Sequence, residues 1–484
     1  MGSHCESLAL LTDLYEITMA YGYWKAGVAD HEGAFNLFFR RNPFGGGYTV
    51  ACGLEQAIDY LNNFGFTRED VDYLARLKGN DGRALFESGF LEYLAAMKLS
   101  LDVDAIAEGT VVFPQEPLLR TQGPIAQCQL LETPLLNMIN FQSLIATKAA
   151  RICQAAQGDP VMEFGLRRAQ GIDGGISASR AAYIGGCAGT SNVLAGKIHD
   201  IPVMGTHAHS WVMLFDSELE AFQAYADAMP NNCVLLVDTY NTLDGVRNAI
   251  AIGDRLRARG QRMAGIRLDS GDLAYLSIEA RRMLDAAGFD DVFIVASNEL
   301  DENIITSLKL QGAKIGVWGV GTRLATAHDD PALGGVYKLA AVRAPGRPWQ
   351  YRIKLSEQLA KITNPGIQNV RRFRDESLFI ADMIYDAQQP PGGECLIIDP
   401  MDATRRRKIP ADTASEDLLA PVWRGGRQVY SCPEIRAIRE RAQRQLAGLH
   451  PSIKRIVNPH TYPVGLESRF HALKTELILS ARKM

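Results

Sequence analysis

The chain has 484 residues, enough for two or three domains rather than one core. Hydrophobic residues make up 47% and charged residues 22%, the balance of a soluble globular protein. The net charge of −4, with no long basic run, argues against a nucleic-acid partner. No apolar run reaches about 18 residues, so no membrane-spanning helix is expected, and the N-terminus lacks the pattern of a secretory signal. The eight cysteines, at 5, 52, 128, 153, 187, 233, 395 and 432, form no C-x-x-C pair. That pattern points to reduced thiols in a cytoplasmic protein and away from a structural zinc site.

In chain order, Ala9–Lys25 carries apolar residues at helical spacing, with Thr12 and Asp13 placed to cap it. Phe35–Arg40 reads as a strand, Asn42-Pro43-Phe44-Gly45-Gly46-Gly47 as a turn and Tyr48–Ala51 as a second strand. Leu54–Phe64 and Glu69–Leu77 look helical, and residues 100–131 hold short β-like runs broken by glycine and proline. Residues 1–130 are therefore expected to form an α+β domain. Pro134 opens a long helix to about Ala155, with proline suited to a first turn.

Beyond it, short apolar runs alternate with helical segments at the spacing of βα units. The runs are Val161–Phe164, Ile201–Met204, Cys233–Val237, Ala264–Ile266, Val292–Val295 and Lys314–Val317. Six such units over 131–334 predict a parallel barrel, incomplete or closed, or a doubly wound sheet. Gly335–Val342 and Trp349–Leu355 read as a hairpin. The more polar remainder, 366–484, with basic helical segments such as Ile435–Leu446, reads as an appended C-terminal domain.

In parallel βα folds, functional residues gather where strands end. Those ends hold Gly165-Leu166-Arg167-Arg168, Gly205-Thr206-His207-Ala208-His209-Ser210, Asp238-Thr239-Tyr240-Asn241, Arg267-Leu268-Asp269-Ser270-Gly271-Asp272, Ser297-Asn298-Glu299 and Gly319-Val320-Gly321-Thr322. One polar loop would mean little, but six with this content point to a single site for a polyanion. Gly319-Val320-Gly321-Thr322 suits a phosphate cradle, although alone it could be a tight turn. Asp269 and Asp272 suit Mg²⁺ or ribose hydroxyls, and the same residues make good helix caps. His207 and His209 stand at i, i+2, whereas a helical metal pair stands at i, i+4, so no metal site is assigned.

The same stretches, with Leu11-Thr12-Asp13-Leu14-Tyr15, Phe39-Arg40-Arg41-Asn42-Pro43-Phe44-Gly45-Gly46, Leu131-Glu132-Thr133-Pro134-Leu135-Leu136 and Lys361-Ile362-Thr363-Asn364-Pro365-Gly366, resemble the nicotinate phosphoribosyltransferases. Their order along residues 11–366 makes the resemblance specific. It implies an N-terminal sandwich-like domain rejoined by 335–365, an α/β barrel of the type II phosphoribosyltransferase kind, and a C-terminal domain. It implies nicotinate and 5-phosphoribosyl 1-diphosphate as substrates, ATP as co-substrate with Mg²⁺, and a homodimer with shared active sites. By the family motif, His209 is the phosphorylated histidine, and His207 fills a variable slot.

Within that reading, Tyr15, Thr206 and Arg267 are assigned to nicotinate. Arg167, Asp269, Ser270, Gly271, Gly319, Gly321 and Thr322 are assigned to the phosphoribosyl donor. Tyr15 equally suits a core aromatic on a helix face. The chain departs from the family at Cys187-Ala188, where Phe-Asp is usual, and Cys395 and Cys432 are too few for the zinc knuckle of some relatives. The rival readings are a nicotinamide or quinolinate phosphoribosyltransferase, or a sugar-phosphate barrel lyase or isomerase. No strand end supplies the lysine such a lyase would use.

Overall fold

The computed structural model describes residues 7–358 and 361–483, so Cys5 lies outside it. The chain divides into two compact units, Met1–Leu144 with Ala332–Met484, and Ile145–Pro331.

In the first unit the expected helices run over Leu14–Lys25, Leu54–Asn62, Arg68–Ala75 and Ile435–Ala447. The strand Glu32–Phe39 is buried from Gly33 onward, as fits a strand covered on both faces. It lies inside a seven-stranded sheet, between Leu119–Pro124 and Gly335–Arg343. Gly335–Arg343 and Gln350–Tyr351 form the expected hairpin, so the chain returns to its first sheet after the second unit. Leu419–Arg424 joins the same sheet by pairing with Asp102–Ile106.

The polar C-terminal stretch also builds a six-stranded sheet from segments between Gln368 and Glu467. Charge there is not confined to the surface. Arg372 and Asp382 form an ion pair at 2.5 Å with both side chains wholly buried. Tyr462 Oη donates to Asp382 at 2.9 Å and Arg372 Nη2 donates to the Val111 carbonyl at 2.8 Å. A buried pair persists only when its remaining hydrogen-bonding groups are satisfied in this way.

The second unit carries a half-barrel sheet of six parallel strands. Their order is Gly189–Thr190, Val161–Glu163, Val317–Val320, Phe293–Ala296, Gly265–Leu268 and Val234–Leu236. The earliest long strand thus pairs with the latest, Val161 opposite Trp318 and Glu163 opposite Val320. Ile201–Met204, expected as a strand, makes only a single bridge, Thr190 with Val203. Pro202 has no N–H to give a ladder, and its carbonyl accepts from Thr190. Gly189–Thr190, not read as a strand from sequence, takes the place beside Val161–Glu163. On the other edge, Val234–Leu236 has one strand neighbour only.

Side chains at the strand ends cap the helices that follow. Asn241, Asp272 and Asp301 each accept from backbone amides at the start of Thr242–Ala258, Leu273–Ala286 and Glu302–Leu310. The loops are thereby fixed at both ends, and the side chains between the caps and the strands are held in place.

Candidate active site

Arg267 is the centre of the strand-end cluster. It sits in Gly265–Leu268 between Ile266 and Leu268, which are fully buried, and alternation along the strand turns it to the opposite face. Its side chain is 13% exposed and meets residues from three strand ends. Nε donates to Ser297 Oγ at 2.9 Å, Nη1 to Thr206 Oγ1 at 3.0 Å and Nη2 to Asp269 Oδ1 at 3.2 Å. The Phe164 ring lies 5.8 Å from its guanidinium. A guanidinium carries five N–H groups, so one remains on each terminal nitrogen. Two parallel donors of this kind are the fork that fits a carboxylate.

Asp269 ties the cluster to the next loop. Ser297 Oγ donates to its Oδ1, and its own backbone N–H donates to Asp238 Oδ2 at 2.9 Å. Ser270 Oγ donates to the same Asp238 oxygen at 2.6 Å. The other Asp238 oxygen is buried with no hydrogen-bond partner, a costly state for a carboxylate. Gly271 adopts φ +77°, which turns the chain so that Asp272 can cap the following helix. Asp272 is therefore engaged in the capping that its residue type suggested.

His209 opens the short helix His209–Val212, and its Nδ1 lies 3.1 Å from Thr239 Oγ1. Its Nε2 lies 3.8 Å from Asp269 Oδ2, and the side chain is 40% exposed. Nδ1 is thus engaged, while Nε2 makes no hydrogen bond within the cluster. His207, two residues earlier, is in a different environment. It is buried, its Nε2 accepts from Leu236 N–H at 3.1 Å, and its ring packs edge-on against Tyr225. Burial, helped by Arg267 and His209, lowers its pKa from the ordinary histidine value.

The glycines of the phosphate-type loops bring the first and last long strands of the half-barrel together. A Cβ on Gly165 would collide with Ala325 and lie 2.9 Å from the Gly321 carbonyl oxygen. A Cβ on Gly319 would stand 2.8 Å from the Phe164 ring. Gly319 lies within Val317–Val320, so its small size makes room for the aromatic ring beside Arg267. Thr322 begins a short helix and its hydroxyl reaches Glu299 at 3.2 Å. Arg167 and Arg168 lie exposed on the turn Leu166–Arg168 and make none of the cluster's hydrogen bonds. Tyr15 belongs to the first unit, in the first turn of Leu14–Lys25, and is 46% exposed.

Sequence reasoning placed Asp238, Thr239 and Ser297 among the strand ends of one polyanion site but gave none of them an individual role, and gave none to Glu163 or Phe164, although each stands at or just after a strand end. That position was the available signal. Glu163 is nearly inaccessible to solvent and accepts from Ser179 Oγ at 2.9 Å, Thr190 Oγ1 at 2.6 Å and the Gly165 N–H. It joins three segments behind the Arg167 turn.

The chain is similar to known proteins along most of its length. Models for the nicotinate phosphoribosyltransferase N-terminal domain, family and C-terminal domain match residues 10–140, 160–346 and 368–474. The nicotinate phosphoribosyltransferase of Bacillus subtilis (strain 168) is 43% identical over 489 residues, covering 98% of this chain and 97% of its own. The chain belongs to the nicotinate phosphoribosyltransferase family. The Homo sapiens nicotinate phosphoribosyltransferase is 37% identical, with coverage of 97% and 96%. The crystal structure of human nicotinic acid phosphoribosyltransferase aligns with a TM-score of 0.84 at 35% identity, over 96% of this chain and 99% of that one.

In this nicotinate phosphoribosyltransferase family member, Glu163→Leu would strip the buried Gly165 N–H of its acceptor and leave the Ser179 and Thr190 hydroxyls only their second partners, the Gly175 carbonyl and Ser179 Oγ. The expected cost is on the order of 3–5 kcal/mol of stability, and Glu163→Gln, which keeps one acceptor oxygen, should lose less than half of that. Urea denaturation of both variants checks the ranking, and an unchanged midpoint for Glu163→Leu would contradict it.

Proposed function

We propose that this chain joins nicotinate to 5-phosphoribosyl 1-diphosphate, giving nicotinate mononucleotide and diphosphate, the first step of NAD formation from nicotinic acid. The observation that carries this reading is the state of Arg267. It is held from three sides and keeps one N–H on each terminal nitrogen for a carboxylate. Nicotinate supplies that carboxylate. The Thr206 hydroxyl also donates to the His207 carbonyl at 3.2 Å, so Thr206 serves nicotinate by aligning Arg267.

The pyridine nitrogen attacks the anomeric carbon as diphosphate leaves, through a transition state with oxocarbenium character. Positioning and charge neutralisation carry the catalysis. Arg167, Asp269, Ser270, Gly271, Gly319, Gly321 and Thr322 would hold the donor, the glycines by admitting its phosphates close to the backbone. Mg²⁺ accompanying the phosphates fits this site, because it needs only one or two carboxylates besides phosphate and water. Asp269, whose side chain is 26% exposed, would provide one. When bound, the ion neutralises charge on the departing diphosphate.

Replacing Arg267 by Ala should raise KM for nicotinate by an amount equivalent to about 2–4 kcal/mol, roughly 30- to 1,000-fold. The parent enzyme should turn over nicotinamide far less well than nicotinate. Steady-state release of diphosphate measures both, and equal use of amide and acid would remove the assignment.

The coupling to ATP is part of the same proposal. His209 Nε2, with Nδ1 engaged by Thr239, takes a phosphoryl group: an N–P bond forms, the bond to the leaving phosphate oxygen of ATP breaks, and ADP departs. Water later releases phosphate. Phosphorylation adds negative charge beside Arg267 and so changes how the donor site is ordered. His209→Ala should abolish ATP hydrolysis and ATP stimulation while leaving slow phosphoribosyl transfer. Retained ATP stimulation in that variant would assign the wrong histidine.

We place the enzyme in the cytoplasm as a homodimer with shared active sites. Among the described residues no disulfide joins any of the seven cysteines and no helix is long and apolar enough to cross a membrane. Each unit also exposes apolar side chains, Leu8, Leu11, Leu14 and Tyr15 on one, Ile172, Val193 and Leu194 on the other. Such patches on a soluble surface mark contact with another protein, here a second copy. Tyr15 would stack on the pyridine ring across that interface. Its helix turn is anchored by the buried Glu16, which accepts from Thr133 N–H at 3.0 Å. Tyr15→Ala should weaken nicotinate binding with unchanged thermal stability. A fully active monomer in analytical ultracentrifugation coupled to assay would overturn the shared site.

A further inference from the structure

The edge of the half-barrel leaves a specific problem. Val234–Leu236 has a strand neighbour on one side only, so the Leu236 N–H must find its acceptor elsewhere. It finds the Nε2 of His207 at 3.1 Å. This fixes the tautomer: Nε2 accepts, so the ring proton sits on Nδ1, which faces the Ala208 carbonyl at 3.4 Å. The ring is buried, with Tyr225 edge-on at 4.6 Å and Phe222 behind it, both from the helix Glu218–Ala228.

The backbone of the same residue leads into the active site. The His207 carbonyl accepts from Thr206 Oγ1 at 3.2 Å, and Thr206 Oγ1 accepts from Arg267 Nη1 at 3.0 Å. Two residues further on, His209 begins the helix that sets its own ring against Thr239. One imidazole therefore fastens the loop between Thr206 and His209 to the last strand of the sheet, at the side where no further strand exists.

We propose that His207 is a positioning residue for phosphoribosyl transfer, substituting for the missing strand partner of Leu236 and holding Thr206 and His209 in register with Arg267. The proposal rests on the reading of Arg267 and His209 given above. It assigns His207 no contact with substrate.

The test uses two substitutions in the full-length enzyme. His207→Phe keeps an aromatic ring against Tyr225 and loses the acceptor. His207→Gln places its Oε1 near the position of Nε2 and keeps one. His207→Phe should speed hydrogen exchange of the Leu236 amide and raise KM for nicotinate roughly ten-fold, the scale of one lost buried hydrogen bond. His207→Gln should restore slow exchange and bring KM back to within about three-fold of the parent. In the parent, nitrogen-15 spectra should show His207 protonated on Nδ1 only. Unchanged Leu236 exchange in His207→Phe, or a proton on Nε2 in the parent, would show that the tether does not exist. Faster exchange with an unchanged KM would show that the tether is structural and positions nothing. Should His207→Phe fail to fold, the parent spectra and the Gln variant still decide the tautomer and the rescue. An Arg267→Ala enzyme with unaltered nicotinate KM would remove the carboxylate reading and leave the exchange result standing, so the two failures are told apart.

Discussion

A largely buried guanidinium at the end of a parallel strand must have its charge balanced and most of its donors engaged, and the active-site half of this molecule is arranged around that requirement. Arg267 draws Thr206, Ser297 and Asp269 from three different strand ends. Each of these is held in turn, Asp269 through Asp238 and Thr206 through the carbonyl of His207. A charge left unpaired in such a place costs several kcal/mol, so the loops are constrained to one arrangement. The rigidity needed to read a substrate carboxylate is a by-product of satisfying the arginine.

The same constraint explains the glycines. Phe164 can lie beside Arg267 because Gly319 has no side chain, and the loops after the first and last long strands can meet because Gly165 and Gly321 have none. Sequence alone suggested that these glycines serve phosphate. Packing already requires Gly165 and Gly319, and a backbone brought so close is also the surface a phosphate would approach. Glu163 stabilises this meeting point from behind, joining Gly165 to Ser179 and Thr190.

The strand ends of the second unit were legible because a parallel strand covered on both faces is a short apolar run, and its polar end marks where a helix must be capped. Arg267, Asp269 and Ser270 were found for that reason. Two things were misread. The run Ile201–Met204 has the hydrophobicity of a strand, yet Pro202 withholds the amide that a ladder needs, so only one bridge forms. The C-terminal sheet was passed over although it left a signal: Ala381 and Met383, like Cys395 and Ile397, alternate into one core, while the buried Arg372–Asp382 pair sits among them and makes the stretch look polar. His207 was missed as well, because the value of its acceptor nitrogen depends on an unpaired amide 29 residues away.

Charge is the last link between this geometry and the proposed chemistry. Asp238 and Asp269 together outweigh Arg267, so the cluster by itself opposes an anionic donor. A bound diphosphate therefore needs positive charge from elsewhere. Arg167 and Arg168 stand exposed and outside the cluster's hydrogen bonds, free to turn towards phosphates. The proposed Mg²⁺ would convert the acids from an obstacle into a support, with the more open Asp269 as its contact. An acidic cluster beside one arginine thus suits a donor that arrives with its metal, while the arginine keeps its two free N–H groups for the smaller anion. The proposed separation of roles follows from which groups are left open: donors on Arg267 for nicotinate, and the Asp269 carboxylate for the cation of the donor.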